Sequence, residues 1–359
     1  MIEAVGGENG VRAVSLLEAL VAIPSVTGEE AALLEFVAER CRPRGFTAEW
    51  IQVTPGRSNL FLHGGRAEVV FTTHADTVPP FVPARREGGF LHGRGACDAK
   101  GSLAAMAVAT DTLAREGAAV GLLVVVGEER GSDGALAANR QPHGAARFLV
   151  GGEPTGNRFI AGCKGALRIS AAARGVAGHS SQPATDQSAV PPLLDFLAKM
   201  RALGWPEDPF FGETTANIGV LSAGTAPNVI ADSARAEILF RTGVPVEEVL
   251  GSVRGAALER VALTVAYRSD PALFRCPRGR GGEVVSFACD LPLMPAWGEP
   301  ILVGPGSIDD AHRASEKVLL QQVEDAAALY EDLARGLLAL GEEYLEPAGT
   351  FIQRSRRAP

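Results

Sequence analysis

The sequence predicts an α/β protein: a mixed, mostly parallel sheet with helices on both faces, interrupted by an inserted α+β domain of ferredoxin-like order. Three observations predict this. Apolar runs of strand length occur at Glu68–Thr73, Gly121–Val126, Arg147–Val150 and Pro300–Val303. Turn residues bound each run, as expected for strands buried on both faces of a parallel sheet. Helical patterns alternate with these runs, which is the α/β signature. The middle of the chain instead reads β-α-β-β-α-β, the split pattern of ferredoxin-like units. A length of 359 residues fits two domains at roughly 150 residues each. The expected division is residues 1–163 and 273–359 for the α/β domain and residues 164–272 for the insertion.

In chain order, a helical pattern covers Val11 to Val21. IPSVTGEE breaks it, and Thr27 followed by Glu30 reads as a capping box opening a second helix to about Arg42. The first two apolar strands flank Ser102–Arg115, an Ala-rich, helix-like stretch. In the insertion, Ala166–Arg174 reads as a strand and Ser188–Leu203 as a helix. Thr215–Ser222 and Asp232–Arg241 form a strand pair, Pro245–Leu258 a helix and Val261–Tyr267 a last strand. Gly-rich stretches, AGCKGA and RGRGGE, mark the two passages between domains. Glu316–Leu340 reads as a long amphipathic helix.

Composition narrows the function classes. Net charge is −8 without a dense Lys/Arg block, which argues against nucleic acid as a partner. No apolar run reaches the roughly 18 residues that a membrane helix needs. The opening MIEAVGGENG does not read as a signal peptide. Five scattered cysteines without a Cys-x-x-Cys pair fit neither a disulfide framework nor a zinc knuckle. The expectation is a cytoplasmic protein, without membrane association.

Polar groups follow each buried strand. EVVFTT leads to His74-Ala75-Asp76, GLLVVV to Gly127-Glu128-Glu129, RFLV to Gly151-Gly152-Glu153-Pro154, and ILV to GPGSIDDA and His312. GRGACDAKGS places Asp98 just before a helix. Open α/β sheets bind ligands outside the carboxyl ends of their strands, so these groups are expected to converge. His74, Asp98, Glu129, Glu153 and His312 suit two divalent cations, zinc foremost and cobalt or manganese less tightly. Three carboxylates massed at a buried rim would otherwise repel one another. His63, His92 and His143 read as surface histidines in Gly/Pro surroundings, and Lys100 as a surface lysine at a helix start. Cys97 is not expected to be a ligand, because adjacent residues at a strand end point apart.

These motifs, His74-Ala75-Asp76-Thr77, the stretch from Gly93 to Gly101, Gly127-Glu128-Glu129, Gly152-Glu153-Pro154-Thr155 and Ala311-His312, resemble those of the zinc-dependent M20 metallopeptidase and deacylase clan, in order and over nearly the whole chain. The blocks HADTVPP, GRGACDAKG and WGEPILVGPGSIDDAHRASE are most similar to acetylornithine and acetylcitrulline deacetylases. The acetyl-lysine and succinyl-diaminopimelate branches are close behind. The resemblance implies two zinc ions, with cobalt able to substitute, and Asp98 bridging them. His74 and Glu153 would complete one ion, Glu129 and His312 the other. Glu128 would be the general base, and Asp76 would hold the second ring nitrogen of His74. A cis peptide after Asp98 is also implied.

On the insertion, which the resemblance makes a lid and dimerisation domain, GVAGHSSQP aligns His179 with a histidine that steadies the carbonyl oxygen. GTAPNVIAD puts Asn228 at a substrate-contacting position. ILFRTG puts Arg241 where the substrate α-carboxylate binds, with Arg235 a competitor for that role. The implied protein is a homodimer paired through the lid, removing acetyl from N-acetylornithine or N-acetylcitrulline in arginine biosynthesis. Alternatives are succinyl-diaminopimelate desuccinylase, acetyl-lysine deacetylase, and a di- or tripeptide-cleaving aminopeptidase of the same clan. The sequence departs from the family in Ala99-Lys100, after the bridging Asp, and in Thr242-Gly243, after Arg241; both bear on substrate choice.

Overall fold

The computed structural model describes residues 8–181, 187–347 and 349–355. The opening residues 1–7, and Gln182 and Pro183 of the GVAGHSSQP motif, lie outside the described residues. The chain forms two compact units. One holds the residues up to Ala161 with Leu273–Glu283 and Cys289–Thr350; the other holds Gly162–Ala272 with Val284–Ala288 and the chain from Phe351.

In the first unit Val69–His74 is the middle strand, entirely buried and parallel to both Val120–Val125 and Phe148–Gly151. Glu299–Leu302 adds in parallel beyond Phe148–Gly151. The first three are buried at every position and rich in Val, Leu and Phe because neither face meets water, whereas Glu299–Leu302 is buried only at Ile301 and Leu302. Their register is what matters for function. His74 pairs with Val125, Thr72 with Gly151, and Leu302 with Gly151. Strand ends from four distant parts of the sequence therefore finish at nearly one level.

The other side of the sheet is antiparallel. Thr47–Thr54 and Arg57–His63 form a hairpin, and Arg57–His63 joins Val120–Val125. This hairpin carries no strong sequence signal, because TAEWIQVT is mostly exposed, buries only Ile51 and has no continuous apolar run. His63 ends that hairpin, stacks on Phe61 and lies 5.2 Å from the ring of His143, which meets Phe61 edge-on; both histidines are half-buried. His143 lies in a loop as its surroundings suggest, but neither ring is the exposed surface group expected, and His92, also half-buried, ends a short strand, Phe90–His92.

Two helix predictions need correction. The helix Ala31–Arg40 has no side-chain cap at its N-terminus. The Thr27 hydroxyl donates to Asp76 and the Glu30 carboxylate pairs with Arg57 at 2.7 Å, so both halves of the expected capping box are engaged elsewhere. The last long helix starts at Leu320, not Glu316. Lys317–Leu319 is instead a strand paired with Phe90–His92. Glu316 turns inward to meet Arg94, a long-range demand that helical periodicity does not register.

The Ala-rich helix Lys100–Arg115 is buried along nearly all its length, from Lys100 to Thr110. Small side chains allow this close approach. Gly152 shows how close, since a Cβ there would stand 2.6 Å from Ser102 Cβ and 2.7 Å from Met106 Cε.

In the second unit the sheet order is Thr215–Ala223, Ser233–Thr242, Gly165–Arg174, Val261–Ser269, all antiparallel. Helices Val190–Arg201 and Val246–Ala256 cover it, through Phe196, Leu197, Val249 and Val253 packed on Ile169, Ile238 and Phe240. The β-α-β-β-α-β order has its ferredoxin-like topology. The edge strand Thr215–Ala223 is exposed along nearly its whole length.

The tight fit at Gly152 generates a prediction. Gly152→Ala pushes on Ser102 and Met106 in the buried helix and is expected to cost about 1–3 kcal/mol, the range of core overpacking. Urea denaturation checks this, and a wild-type midpoint would show that the helix has slack.

Candidate metal centre

Four strand ends deliver the site. His74 is the last residue of Val69–His74. After Val120–Val125 the chain turns through Gly127, at φ +78, into the 3₁₀ turn Glu128–Arg130. A side chain at Gly127 would strike the Asp133 carboxylate, so glycine is needed for both conformation and space. Gly152 and Glu153 follow Phe148–Gly151. His312, at φ +62, follows Glu299–Leu302 after a loop.

Two trios of donors result. His74, Asp98 and Glu153 present ligand-type atoms within 4.8 Å of one another, and so do Asp98, Glu129 and His312. Asp98 belongs to both. Its Oδ1 lies 2.9 Å from His74 Nε2, and its Oδ2 lies 3.3 Å from His312 Nε2. The same His312 nitrogen is 2.9 Å from Glu129 Oε1. Each carboxylate oxygen of Asp98 therefore faces a different trio. The Asp98–Ala99 peptide is cis.

Asp76 acts through atoms other than those expected. His74 Nδ1 donates to the main-chain carbonyl of Asp76 at 2.8 Å, while the nearest carboxylate oxygen is 3.6 Å away. This carbonyl can only accept, so Nδ1 carries the proton and Nε2 faces Asp98. The Asp76 carboxylate is used instead to hold the next strand's turn. Its Oδ1 accepts the Glu128 N–H at 3.1 Å, and its Oδ2 accepts the Glu129 N–H at 3.2 Å and the Thr27 hydroxyl at 2.8 Å. The sequence points to Thr27 as a helix cap; a threonine's partner 49 residues away leaves no local trace.

The electrostatics report a shortage of positive charge. Loss of water around its carboxyl raises Glu128 well above the usual carboxylate range; the His74 ring opposes this, and the charges of Asp290, Glu153 and Glu129 add to it. Burial raises Glu153 in the same way, against His74 and with the charges of Asp98, Asp290 and Glu129. Hydrogen bonds to Asp98 and Glu129 raise His312 to about 10. Burial lowers His74, but hydrogen bonds with Asp76 and Asp98 and nearby charges outweigh it and hold the ring well above its ordinary value. Asp98 is the exception: burial there is outweighed by hydrogen bonds with His312 and His74, which hold it below the usual carboxylate range, while Glu128, Glu153 and both rings are shifted toward their protonated forms. Carboxylates and imidazoles converging on two points, short of positive charge, fit a pair of divalent cations.

Three further residues surround the site without a sequence signal to mark them. Asp290 lines a small cavity with Thr73, His74 and Glu153, and burial raises it to about 6. Glu316 meets the Asp98 backbone from the far side. Lys100, expected at the surface, is buried, and its ammonium donates to the Ile23 carbonyl at 2.7 Å. Cys97 directs its thiol to the Ser307 carbonyl, away from the ligand atoms.

The inserted unit places its expected residues apart from one another. His179 is exposed, its Nδ1 against Ser181 Oγ at 2.7 Å, and it bridges to Val229. The Ser180 N–H donates to the Asn228 carbonyl, so His179 and Asn228 share one end of the unit. Arg241 lies at the far end of Ser233–Thr242, paired with Thr215 and Ala166. Arg235, the competitor, is exposed and paired with Glu237.

Residues 70–336 match the family described as Peptidase family M20/M25/M40. The chain belongs to the M20 metallopeptidase family. A peptidase M20 domain-containing protein of Schizosaccharomyces pombe is 33% identical over 328 residues, covering 88% of this chain and 82% of that protein. A protein of Aspergillus clavatus named "Probable carboxypeptidase" is 35% identical over 372 residues, covering 89% and 81%. Human carnosine dipeptidase 1 shares the fold, with a TM-score of 0.71 at 14% identity, covering 91% of this chain and 97% of that one. This M20 chain is accordingly a hydrolase of amide or peptide C–N bonds, in a family that normally binds metal ions. No helix among its described residues is long and apolar enough to cross a membrane.

The Thr27 contact generates a prediction. Thr27→Val removes one of three donors to a buried carboxylate and is expected to lower stability by about 1.5–3 kcal/mol, the range for hydrogen bonds to charged groups. Thr27→Ser should recover most of it in the same denaturation measurement. Equal midpoints for the valine and serine proteins would remove Thr27 from this role.

Proposed function

We propose that this M20 hydrolase is a di-zinc amidohydrolase, with cobalt able to replace zinc, that removes an acyl group from the α-nitrogen of an amino acid bearing a free carboxylate. The observation that carries the reading is the division of Asp98, one oxygen toward each trio. Asp98 is assigned as the shared ligand, His74 and Glu153 as the ligands of one ion, and Glu129 and His312 as those of the other. When bound, such a pair supplies Lewis-acid polarisation of the scissile carbonyl and a water acidified toward neutrality.

The chain's own residues do the rest. Glu128 takes the water proton on a carboxyl oxygen and delivers it to the departing amine. Its raised proton affinity suits both halves of that transfer. The Asp76 carboxylate keeps Glu128 in place through the Glu128 and Glu129 amides. His179 steadies the carbonyl oxygen as negative charge grows there, Asn228 contacts the substrate, and Arg241 takes the α-carboxylate bidentately.

Acetyl is the preferred acyl group, with ornithine or citrulline as the amino acid, on the strength of the HADTVPP and GPGSIDDAHRASE blocks. The names of the curated relatives favour a second reading, release of a C-terminal residue from a peptide. Both readings place an acylated nitrogen beside a free carboxylate, and differ only in what the acyl group carries. Five buried cysteines, none in a disulfide, support a reducing, cytoplasmic setting.

The lid geometry supports a homodimer. At a strand rise of about 3.3 Å per residue, Arg241 is roughly 25 Å from the end that holds His179 and Asn228. A single amino-acid derivative does not span that gap, so Arg241 and His179 act on one substrate only when two copies contribute. The exposed edge strand Thr215–Ala223 is suited to pairing.

Two experiments test these proposals. The metal-loaded protein, offered N-acetyl amino acids and dipeptides, is expected to release free amine from the N-acetyl series. Glu128→Gln should lower kcat by about 100- to 10,000-fold, the usual worth of a general base, with both ions retained. Glu129→Gln should instead lose one ion. Retention of a tenth of the rate by Glu128→Gln excludes it as the base, and exclusive cleavage of peptides selects the carboxypeptidase reading.

The second experiment mixes two inactive proteins, Glu128→Ala and His179→Ala, and refolds them together. With the closed two-fold pairing of most dimers, about half of the dimers are mixed and each has one intact site. About a quarter of wild-type activity should return. No recovery, or a monomeric mass by light scattering, rules out action across subunits.

A further inference from the structure

We infer that Glu316 is a positioning residue that holds the backbone of Asp98, and thereby sets how tightly the chain binds its two ions. The inference rests on the proposed reading of Asp98 as the shared ligand.

Glu316 is 1% exposed and uses both carboxylate oxygens. Its Oε1 accepts the N–H groups of Cys97 and Asp98, each at 3.1 Å. Its Oε2 takes the Arg94 guanidinium at 2.5 Å. Arg94 is itself buried, and also donates to the carbonyls of Pro80 and Arg313, both at 3.2 Å. The main chain repeats the link, because the Gly93 N–H donates to the Glu316 carbonyl at 3.0 Å. Four residues upstream of Glu316 stands His312. One carboxylate thus joins the segment carrying Asp98 to the segment carrying His312, though the two are more than 200 residues apart in sequence.

The physical requirement is accuracy. Asp98 must present one oxygen to each of two trios, and its side chain has only two torsions with which to do so. Its backbone must therefore be placed from outside. Groups that orient metal ligands from behind typically change metal affinity by 10- to 100-fold when removed. A buried carboxylate is costly without a partner, and Arg94 offsets that cost. The bond to Arg94 holds the Glu316 carboxylate in place, and the two amide hydrogen bonds do the positioning.

The test separates these two parts. Removing one partner alone would leave a buried charge unpaired, so two double variants are compared. Arg94→Met/Glu316→Gln removes the ion pair and keeps an oxygen that can accept the two amides. Arg94→Met/Glu316→Leu removes the ion pair and the acceptor together. Each is stripped with chelator and titrated with Zn²⁺ or Co²⁺, and hydrogen exchange at the Cys97 and Asp98 amides is read on the metal-free proteins.

The leucine protein is expected to bind ions 10- to 100-fold more weakly than the glutamine protein, and to lose protection at both amides. Equal affinities in the two proteins overturn the inference and leave Arg94–Glu316 a structural ion pair. If the leucine protein does not fold by circular dichroism, Glu316→Asp carries the comparison. It keeps the charge facing Arg94 but is one methylene shorter. Weaker ion binding than wild type supports the inference, and unchanged binding overturns it. Failure of the unmutated chain to bind any divalent ion overturns the amidohydrolase reading itself, and the inference with it. That result is read on wild type alone, so the two failures are distinct.

Discussion

Mutual repulsion among Asp98, Glu129 and Glu153, gathered where little water reaches, is the constraint on which the rest of the structure depends. Burial raises the proton affinity of Glu153 and the charges of Asp98 and Glu129 add to it, whereas at Asp98 burial is outweighed by hydrogen bonds with His312 and His74, which hold it below the usual carboxylate range. The fold must hold these groups together against that force. It does so with parallel strands in a register that ends them at one level, backed by an Ala-rich helix close enough that Gly152 admits no side chain. The same repulsion makes two divalent cations the natural complement, since each trio already contains the hard and borderline donors such ions prefer.

Holding the ligands is only half of the task; the base must also be placed. One residue, Asp76, links three separate segments: the Thr27 loop, the strand end at His74, and the turn of Glu128 and Glu129. Its main-chain carbonyl sets the tautomer of His74 while its side chain holds the turn. A single residue therefore couples the orientation of a proposed ligand to that of the proposed base. Glu316 plays a parallel part on the opposite flank, where it meets the backbone of Asp98.

The inserted unit poses a different problem. Its core is self-sufficient, with two helices over a four-stranded antiparallel sheet. Its chemistry is split, because His179 and Asn228 lie at one end of the sheet and Arg241 at the other. Strand length alone keeps these groups from a common small ligand within one copy. Proposed pairing of two chains resolves the split, and gives a purpose to an edge strand that one chain leaves uncovered.

Much of this was legible in the sequence. Continuous apolar runs named the buried strands, and the polar residue after each run named the site, because a parallel sheet leaves those ends together whatever the loops between them do. The β-α-β-β-α-β order of the insertion was equally readable from period alone. Signals of this kind are local, carried by neighbouring residues. The contacts that only tertiary structure decided are long-range or depend on a choice between atoms. Thr27 had a plausible local partner in Glu30, but its hydroxyl donates to Asp76. Glu316 fitted the periodicity of a helix, but a buried arginine and two amides claimed it. Lys100 looked like a solvated helix start, yet its stem is enclosed and its ammonium donates to a main-chain carbonyl. The sequence by itself determined which residue types gather at the strand ends. Only the fold decided which oxygen of Asp98 faces which trio and which atoms of Asp76 do the holding, because those follow from distances of a few ångströms between segments far apart in the chain.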